Sequence, residues 1–120
     1  MAEATHRNGW HVERTDAAVT VSRGRPVRFD LAVEARFPVM GRERLARQIR
    51  QDMWRALQRL RGFRPAVQVM RDGGGLRVVA GGAVDAPFPR QRAEAVIRDI
   101  LENPANRARW QRFAGGRHDT

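Results

Sequence analysis

The sequence predicts an α+β fold made of two ββα units, which form a four-stranded sheet with two main helices on one face and a short C-terminal helix. Two observations predict it. The segments VEARFP at 33–38 and VDAPFP at 84–89 are similar, and each ends a strand-like stretch and precedes a helix-like one. Both halves also follow the same order of strand, turn, strand, Phe-Pro and amphipathic helix. We therefore interpret the chain as a ββα-ββα pseudo-repeat with units at about 17–61 and 65–103.

Length and composition indicate one domain covering residues 1–120, since 120 residues with 42% apolar content can bury a single core. We expect residues 1–9 and 115–120 to be flexible. The chain has no apolar run long enough to span a bilayer, no signal-peptide profile and no cysteine. These features favour a cytoplasmic, bacterial-type protein without disulfides, thiolate metal sites or contact with a membrane.

The first unit begins with a predicted strand at 17–22, followed by a turn at 23–25 and a second strand at 27–37. The second strand alternates strictly between apolar and polar residues, so one face should pack on a core and the other should face solvent or a partner. Its apolar face would contain Val27, Phe29, Leu31, Val33, Ala35 and Phe37.

A helix is predicted from about 41 to 61, because apolar residues recur there at helical spacing and Gly62 follows as a stop. Arginine and glutamine cover the face opposite to this apolar stripe, and Trp54 lies at the border. The stripe contains Leu45, Ala46, Ile49, Met53, Ala56, Leu57 and Leu60.

The second unit contains a predicted hairpin with strands at 65–71 and 76–84 around an Asp-Gly-Gly-Gly turn. Pro89 suits the first turn of the helix that follows. Asn103 and Pro104 then predict a short third helix, with asparagine as its cap and proline at its first position. We expect Trp110 and Phe113 of that helix to close one end of the core.

The order of the four predicted strands follows from the connections between them. The first helix links strand two to strand three, so these strands should point in the same direction. Strands related by the pseudo-twofold should be antiparallel, which allows the order 1-2-4-3 or 2-1-3-4. We favour 1-2-4-3, because it puts the short first strand and the third strand, which begins with proline, at the edges.

The charge of the chain is strongly positive and comes from arginine alone. There are 23 Arg and no Lys, and the net charge is +10. Residues 36–64 contain nine Arg against Glu43 and Asp52, a local net charge of +7. Arginine suits bidentate binding of phosphate or carboxylate, whereas a GC-rich genome would favour arginine over lysine for reasons unrelated to function.

Catalytic residue types are scarce. The chain contains one serine, Ser22, and no cysteine, lysine or tyrosine. Its three histidines, His6, His11 and His118, lie near the ends, and clustered ligands for a metal are not apparent. We therefore predict a non-catalytic protein without a cofactor or a metal site.

The arginine-rich face of the first helix is the best candidate for a binding site. Such an array can neutralise phosphates of RNA or DNA and release counterions, although charged helix faces are often only solvated. A module for protein interaction or homodimer assembly, through the open sheet face or an edge strand, is the alternative. The predicted polyanion-binding residues are Arg44, Arg47, Gln51, Arg55, Gln58 and Arg59.

Overall fold

Within residues 3–7, 9–24 and 26–115, the part of the chain that the computed structural model describes, six antiparallel strands and three helices are found. The predicted α+β class is therefore confirmed, but the four-stranded sheet is wrong. The sheet order is β1-β2-β3-β5-β6-β4. The elements are β1 (Glu3–Arg7), β2 (Trp10–Arg14), β3 (Ala18–Ser22), β4 (Leu31–Pro38), α1 (Arg42–Ala56), β5 (Arg64–Asp72), β6 (Gly75–Ala83), α2 (Arg90–Glu102) and α3 (Pro104–Ala114).

The two additional strands lie at the N-terminus, where a flexible segment was expected for residues 1–9. Strands β1 and β2 pair along their full length, and β2 pairs in turn with β3. Gly9 has a φ of 80°, which glycine adopts at little cost between two strands. Val12 is buried, so this hairpin belongs to the core. Flexibility was also expected at residues 1, 2, 8 and 116–120, and these positions lie outside the described residues.

The internal repeat is not confirmed, because only one of the two predicted hairpins forms. Strands β5 and β6 do form a hairpin, with Asp72 opposite Gly75. Strands β3 and β4 do not pair. Instead β3 pairs with β5, and β4 pairs with β6 at the far edge of the sheet. The four predicted strands therefore follow the order 1-3-4-2, in place of 1-2-4-3.

The segment between β3 and β4 explains this difference. The second predicted strand begins at Leu31, four residues later than expected from position 27. Before it, the Asp30 carboxylate accepts hydrogen bonds from the Val84 backbone N–H at 3.0 Å and from Arg28. These bonds hold the segment beside the end of β6, and Pro26 lacks the N–H that a ladder would need. The chain can therefore cross the end of the sheet before β4 starts.

Glycine allows β4 to lie this close to β6. A Cβ atom at Gly81 would overlap the carbonyl oxygen of Leu31, and Gly82 adopts a φ of 140° that side chains disfavour. A pair of glycines within a strand indicates a close backbone approach, and the structure shows that approach.

The core lies between one face of the sheet and the helices. The side chains of Val21, Val67, Ala80 and Val33 form one row across four strands, and all are buried. Helix α1 packs on β3 and β5, α2 packs on β4, and α3 packs against both helices. Among the described residues, no helix is long and apolar enough to cross a membrane.

The first helix is shorter than predicted, and the third helix begins where it was predicted to begin. Helix α1 ends at Ala56, five residues before the predicted end at 61. Beyond it the chain turns so that both Leu57 and Phe63 become buried, with Gly62 at a φ of 68°. Helix α3 begins as predicted, with the Asn103 side chain accepting a hydrogen bond from the Asn106 N–H at 3.0 Å.

Candidate functional site

Helix α1 has two polar flanks that contact different parts of the fold. Residues three or four positions apart share a helix face, so Glu43 and Arg47 lie on one flank, and Gln48 and Asp52 lie on the other. The first flank contacts β2, because Arg14 forms an ion pair with Glu43. The second flank contacts α3 through hydrogen bonds from Arg109. The predicted basic face occupies the remaining, outer part of the helix, but its members Gln58 and Arg59 lie in the turn that follows Ala56.

Arg44 and Arg47, at the N-terminal end of the predicted face, contact other side chains of the same molecule. The Arg47 Nε donates a hydrogen bond of 2.7 Å to the Glu43 carboxylate, which also pairs with Arg14. The Arg44 guanidinium lies 5.4 Å from the centre of the Phe113 ring. The positive charge at the N-terminal half of the predicted face is thus partly neutralised by Glu43.

The other four predicted residues are exposed. The side chains of Gln51, Gln58 and Arg59 form no hydrogen bond or ion pair among the described residues. The Arg55 side chain is 65% exposed, and its Nη1 lies 3.9 Å from Asp52 Oδ1. At this distance the ion pair is weak, because solvent screens exposed charges. The free guanidinium groups therefore lie towards the C-terminal end of α1.

Asp52 gives little neutralisation to Arg55, because its other oxygen already has two partners. Asp52 Oδ2 accepts a hydrogen bond from Arg109 Nη2 and another from the Trp110 indole N–H, each 2.8 Å long. Trp110 is fully buried, and the Asp52 side chain is only 13% exposed. This carboxylate therefore joins α1 to α3.

Four arginines surround an apolar cavity between the C-terminal end of α1 and the start of α2. The cavity, the basic groove, has a volume of about 660 Å³. No carboxylate is among the residues that line it, all of which belong to the described part of the chain. Its rim contains Arg55, Arg59, Arg61 and Arg92, and its floor contains Leu57, Leu60, Pro87, Phe88, Pro89 and Val96.

An adjoining cavity does contain carboxylates, since Arg61 borders it together with Asp30 and Asp85. Asp30 is already paired: the hydrogen bond from Arg28, 2.5 Å long, and the one from the Val84 N–H hold the pKa of its carboxyl below the usual range. The same hydrogen bond raises the pKa of Arg28. Asp30 is therefore engaged outside the basic groove. Asp85 lies nearer to Arg61, since its backbone N–H donates a hydrogen bond of 3.0 Å to the Arg61 carbonyl oxygen, but it does not line the groove.

The open face of the sheet has a balanced charge. Arg36 Nη1 lies 2.6 Å from Asp72 Oδ2, and Arg77 Nη1 lies 2.5 Å from Glu34 Oε1. The Arg77–Glu34 pair connects the neighbouring strands β6 and β4, and the Arg36–Asp72 pair connects β4 with the end of β5 across β6. This face therefore offers little net positive charge to a polyanion, unlike the basic groove.

Sequence reasoning found part of this site and missed the rest. Of the predicted binding residues, Arg55, Gln58 and Arg59 line the basic groove, although Gln58 and Arg59 lie beyond the end of α1 and not on the predicted helix face. Arg61 is the last position of the predicted helix and also lines the groove. Arg92 and Phe88 were not singled out. They lie about thirty residues further along the chain, and only the packing of α2 against α1 brings them to the same cavity. The local signal for this part of the site was Arg92, an arginine on the exposed face of α2.

The arrangement has the chemistry of a binding site for an anion with apolar parts. Guanidinium groups bind phosphate or carboxylate through paired N–H donors, and the floor can cover apolar surface. No family model matches the chain, and no curated protein or solved structure matches it either.

Proposed function

We propose that this protein is a non-catalytic module that binds polyanions, with single-stranded nucleic acid as the ligand of the basic groove. The observation that supports this is the presence of four arginines and no carboxylate around one apolar cavity. Nucleic-acid strands offer phosphates at regular intervals, and their neutralisation releases counterions.

The apolar floor favours a single strand over a duplex. A duplex turns its bases inward and presents phosphates only, whereas an unpaired strand can place a base against an apolar surface. Leu60, Phe88 and Val96 supply such a surface between the arginines. The contacts are with phosphate and with the flat faces of bases, so little sequence preference is expected.

The N-terminal half of the predicted face contributes less to this function. Glu43 partly neutralises Arg47, and Arg44 contacts Phe113. In this proposal Arg55, Gln58 and Arg59 form the α1 side of the groove, and Arg44, Arg47 and Gln51 extend it weakly along the helix. A cytoplasmic location and a bacterial origin, expected from the composition, belong to the same proposal.

Removal of two rim arginines tests the groove. The double variant Arg59→Gln, Arg92→Gln should bind a labelled single-stranded oligonucleotide about tenfold or more weakly, because each lost charge-assisted contact lowers affinity. For the unchanged protein, neutralisation of four phosphates predicts a log–log salt slope of roughly −3, at about −0.7 per phosphate. The double variant should lower this slope by about half. Fluorescence anisotropy across a salt series measures both quantities.

A matched control removes the same charge elsewhere. The double variant Arg98→Gln, Arg112→Gln loses two exposed arginines that do not line the groove, so it should retain the affinity within about twofold. Equal losses in the two double variants, or a flat salt dependence, would contradict a localised site. A duplex of equal length that binds as tightly as the single strand would show that the apolar floor has no part in binding.

Self-association is the second candidate function. Strand β4 lies at one edge of the sheet over eight residues, and among the described residues it pairs with β6 alone. An edge strand with free N–H and C=O groups can pair with a second copy.

A further inference from the structure

Two guanidinium groups contact the ring of Trp10 on β2. The Arg50 Cζ lies 4.0 Å from the ring centre, and the Arg23 Cζ lies 5.3 Å from it. Arginine over a tryptophan face is a favourable cation–π arrangement. Together with Arg47, one turn earlier on α1, these residues form the Trp10 cluster: Trp10, Arg23, Arg47 and Arg50.

Arg50 is the unusual member of the Trp10 cluster. Its side chain is half-buried, and its Nε is buried without a hydrogen-bond partner among the described residues. Burial lowers the pKa of Arg50, and the positive charges of Arg47 and Arg23 lower it further. A buried donor that lacks an acceptor is costly, and so is a charge withdrawn from water without a counter-charge.

Within the described part of the chain, no carboxylate pairs with Arg50 to offset this charge. Glu43 lies on the same flank of α1, but its two oxygens bind Arg14 and Arg47. In the described ranges, no ion pair involves Arg50. Arg50 and Arg23 thus lie over one aromatic ring. Arg47, one turn away on α1, has Glu43 as its partner, and Arg14 shares that carboxylate.

We propose that the Trp10 cluster is a binding site for a phosphate-type oxyanion, with Arg50 as its principal ligand. Arg50 is only half-buried, so an oxyanion can bind the terminal N–H groups of its guanidinium together with donors from Arg47 or Arg23. A guanidinium group matches phosphate oxygens in a paired geometry. The site lies on the β2 side of α1. It is therefore distinct from the basic groove, which lies against α2.

Titration of the full chain with inorganic phosphate, followed by calorimetry at constant ionic strength in chloride, tests the proposal. One saturable site is expected at millimolar phosphate. Arg50→Gln should weaken binding about tenfold or more, because it removes charge-assisted hydrogen bonds. Arg98→Gln is the matched control, since Arg98 is exposed and its ion pair with Glu102 is 3.8 Å long. That variant should bind phosphate as the unchanged protein does.

Thermal unfolding supplies a second readout that a merely structural arginine would not give. Without phosphate, Arg50→Gln should raise Tm, because it removes an uncompensated half-buried charge. With phosphate, Tm of the unchanged protein should rise by linkage, whereas that of Arg50→Gln should not. If Arg50→Gln does not fold, Arg47→Gln on the exposed side of the cluster should still weaken phosphate binding, by roughly threefold.

The source of the phosphate group is resolved by comparing inorganic phosphate with a nucleoside 5′-monophosphate. Tighter binding of the nucleotide identifies a phosphate monoester, equal binding identifies the free ion, and both results support the site. Absence of saturable binding by either ligand, or equal phosphate affinity in Arg50→Gln, would overturn it. The proposal for the basic groove is tested separately from the proposal for the Trp10 cluster. The Arg59→Gln, Arg92→Gln variant should still bind phosphate, and the Arg50→Gln variant should still bind the oligonucleotide.

Discussion

Arginine has several distinct roles among the residues of this protein. Arg42 is only 3% exposed and donates a hydrogen bond to the Asp16 carbonyl oxygen at 3.3 Å. Arg77 pairs with Glu34 on the sheet face, and Arg59 is exposed at the basic groove. A guanidinium group has five donors on a long apolar stem, so it can serve as a structural group or as a ligand for anions. The net charge of +10 therefore does not locate the binding site.

Asp30 gives the stability of the protein a dependence on pH. Its pKa is lowered in the folded state, first by the hydrogen bond from Arg28 and then by the one from the Val84 N–H. A carboxyl with a lowered folded pKa contributes stability above its unfolded pKa and loses that contribution as pH falls through the folded pKa. The contribution of Asp30 should therefore be present at neutral pH and lost as pH falls below about 4.

Urea denaturation at pH 7 and at pH 3 measures this contribution as a change in the free energy of unfolding. In Asp30→Asn the difference between the two pH values should be smaller than in the unchanged protein. Arg28→Gln should reduce the difference in the same direction, because it removes the largest cause of the lowered pKa. An unchanged pH dependence in both variants would contradict this role of Asp30.

At the scale of the elements, the N-terminal hairpin shows how local signals compete. The dipeptide Asn8-Gly9 is a strong hairpin signal in the sequence, yet the flanking residues are mostly polar and do not have a clear alternation. Trp10 and Val12 of β2 point towards the helices and pack against the core. The strand could not be identified from periodicity alone, because the surface that buries it comes from α1 and β3.

The contact between α1 and α3 depends on one carboxylate. Asp52→Ala should lower the free energy of unfolding by about 2 kcal/mol or more, because the fully buried Trp110 would lose the acceptor for its indole N–H. Denaturation by urea measures the change. Glu102→Ala removes an exposed carboxylate 3.8 Å from Arg98 and should cost less than about 1 kcal/mol. Equal effects of the two substitutions would show that Asp52 does not hold α3 in place.

At the scale of the whole molecule, the basic groove is complete within one copy of the chain. The rim and floor come from α1, α2 and the segments next to them, so binding needs no second copy. Strand β4 also has Glu34 and Arg36 exposed and ends at Pro38, features that discourage pairing at an edge. We expect light scattering to give the monomer mass at all protein concentrations. A mass that rises to that of a dimer with concentration would favour self-association.

Much of the fold was predictable from the sequence, but less of the site was. The hairpin of β5 and β6, the three helices and the cap of α3 follow from local patterns, and the structure contains them. The pairing of β4 with β6 depends on Gly81, which permits close contact with Leu31. One side of the groove comes from the end of α1 and the turn that follows it, and Arg92 belongs to α2. No local pattern relates these two helices, since their distance depends on the packing of both on the sheet.

The sequence by itself determined the class of the fold, the positions of the main helices and the concentration of arginine in residues 36–64. These properties depend on periodicity, capping residues and composition, which act over a few neighbouring positions. Only the tertiary structure decided the strand order and which arginines are free of carboxylates. Both depend on contacts between residues distant in the chain, such as Asp52 with Trp110 and Asp30 with Val84. Such contacts are selected by the packing of the whole core.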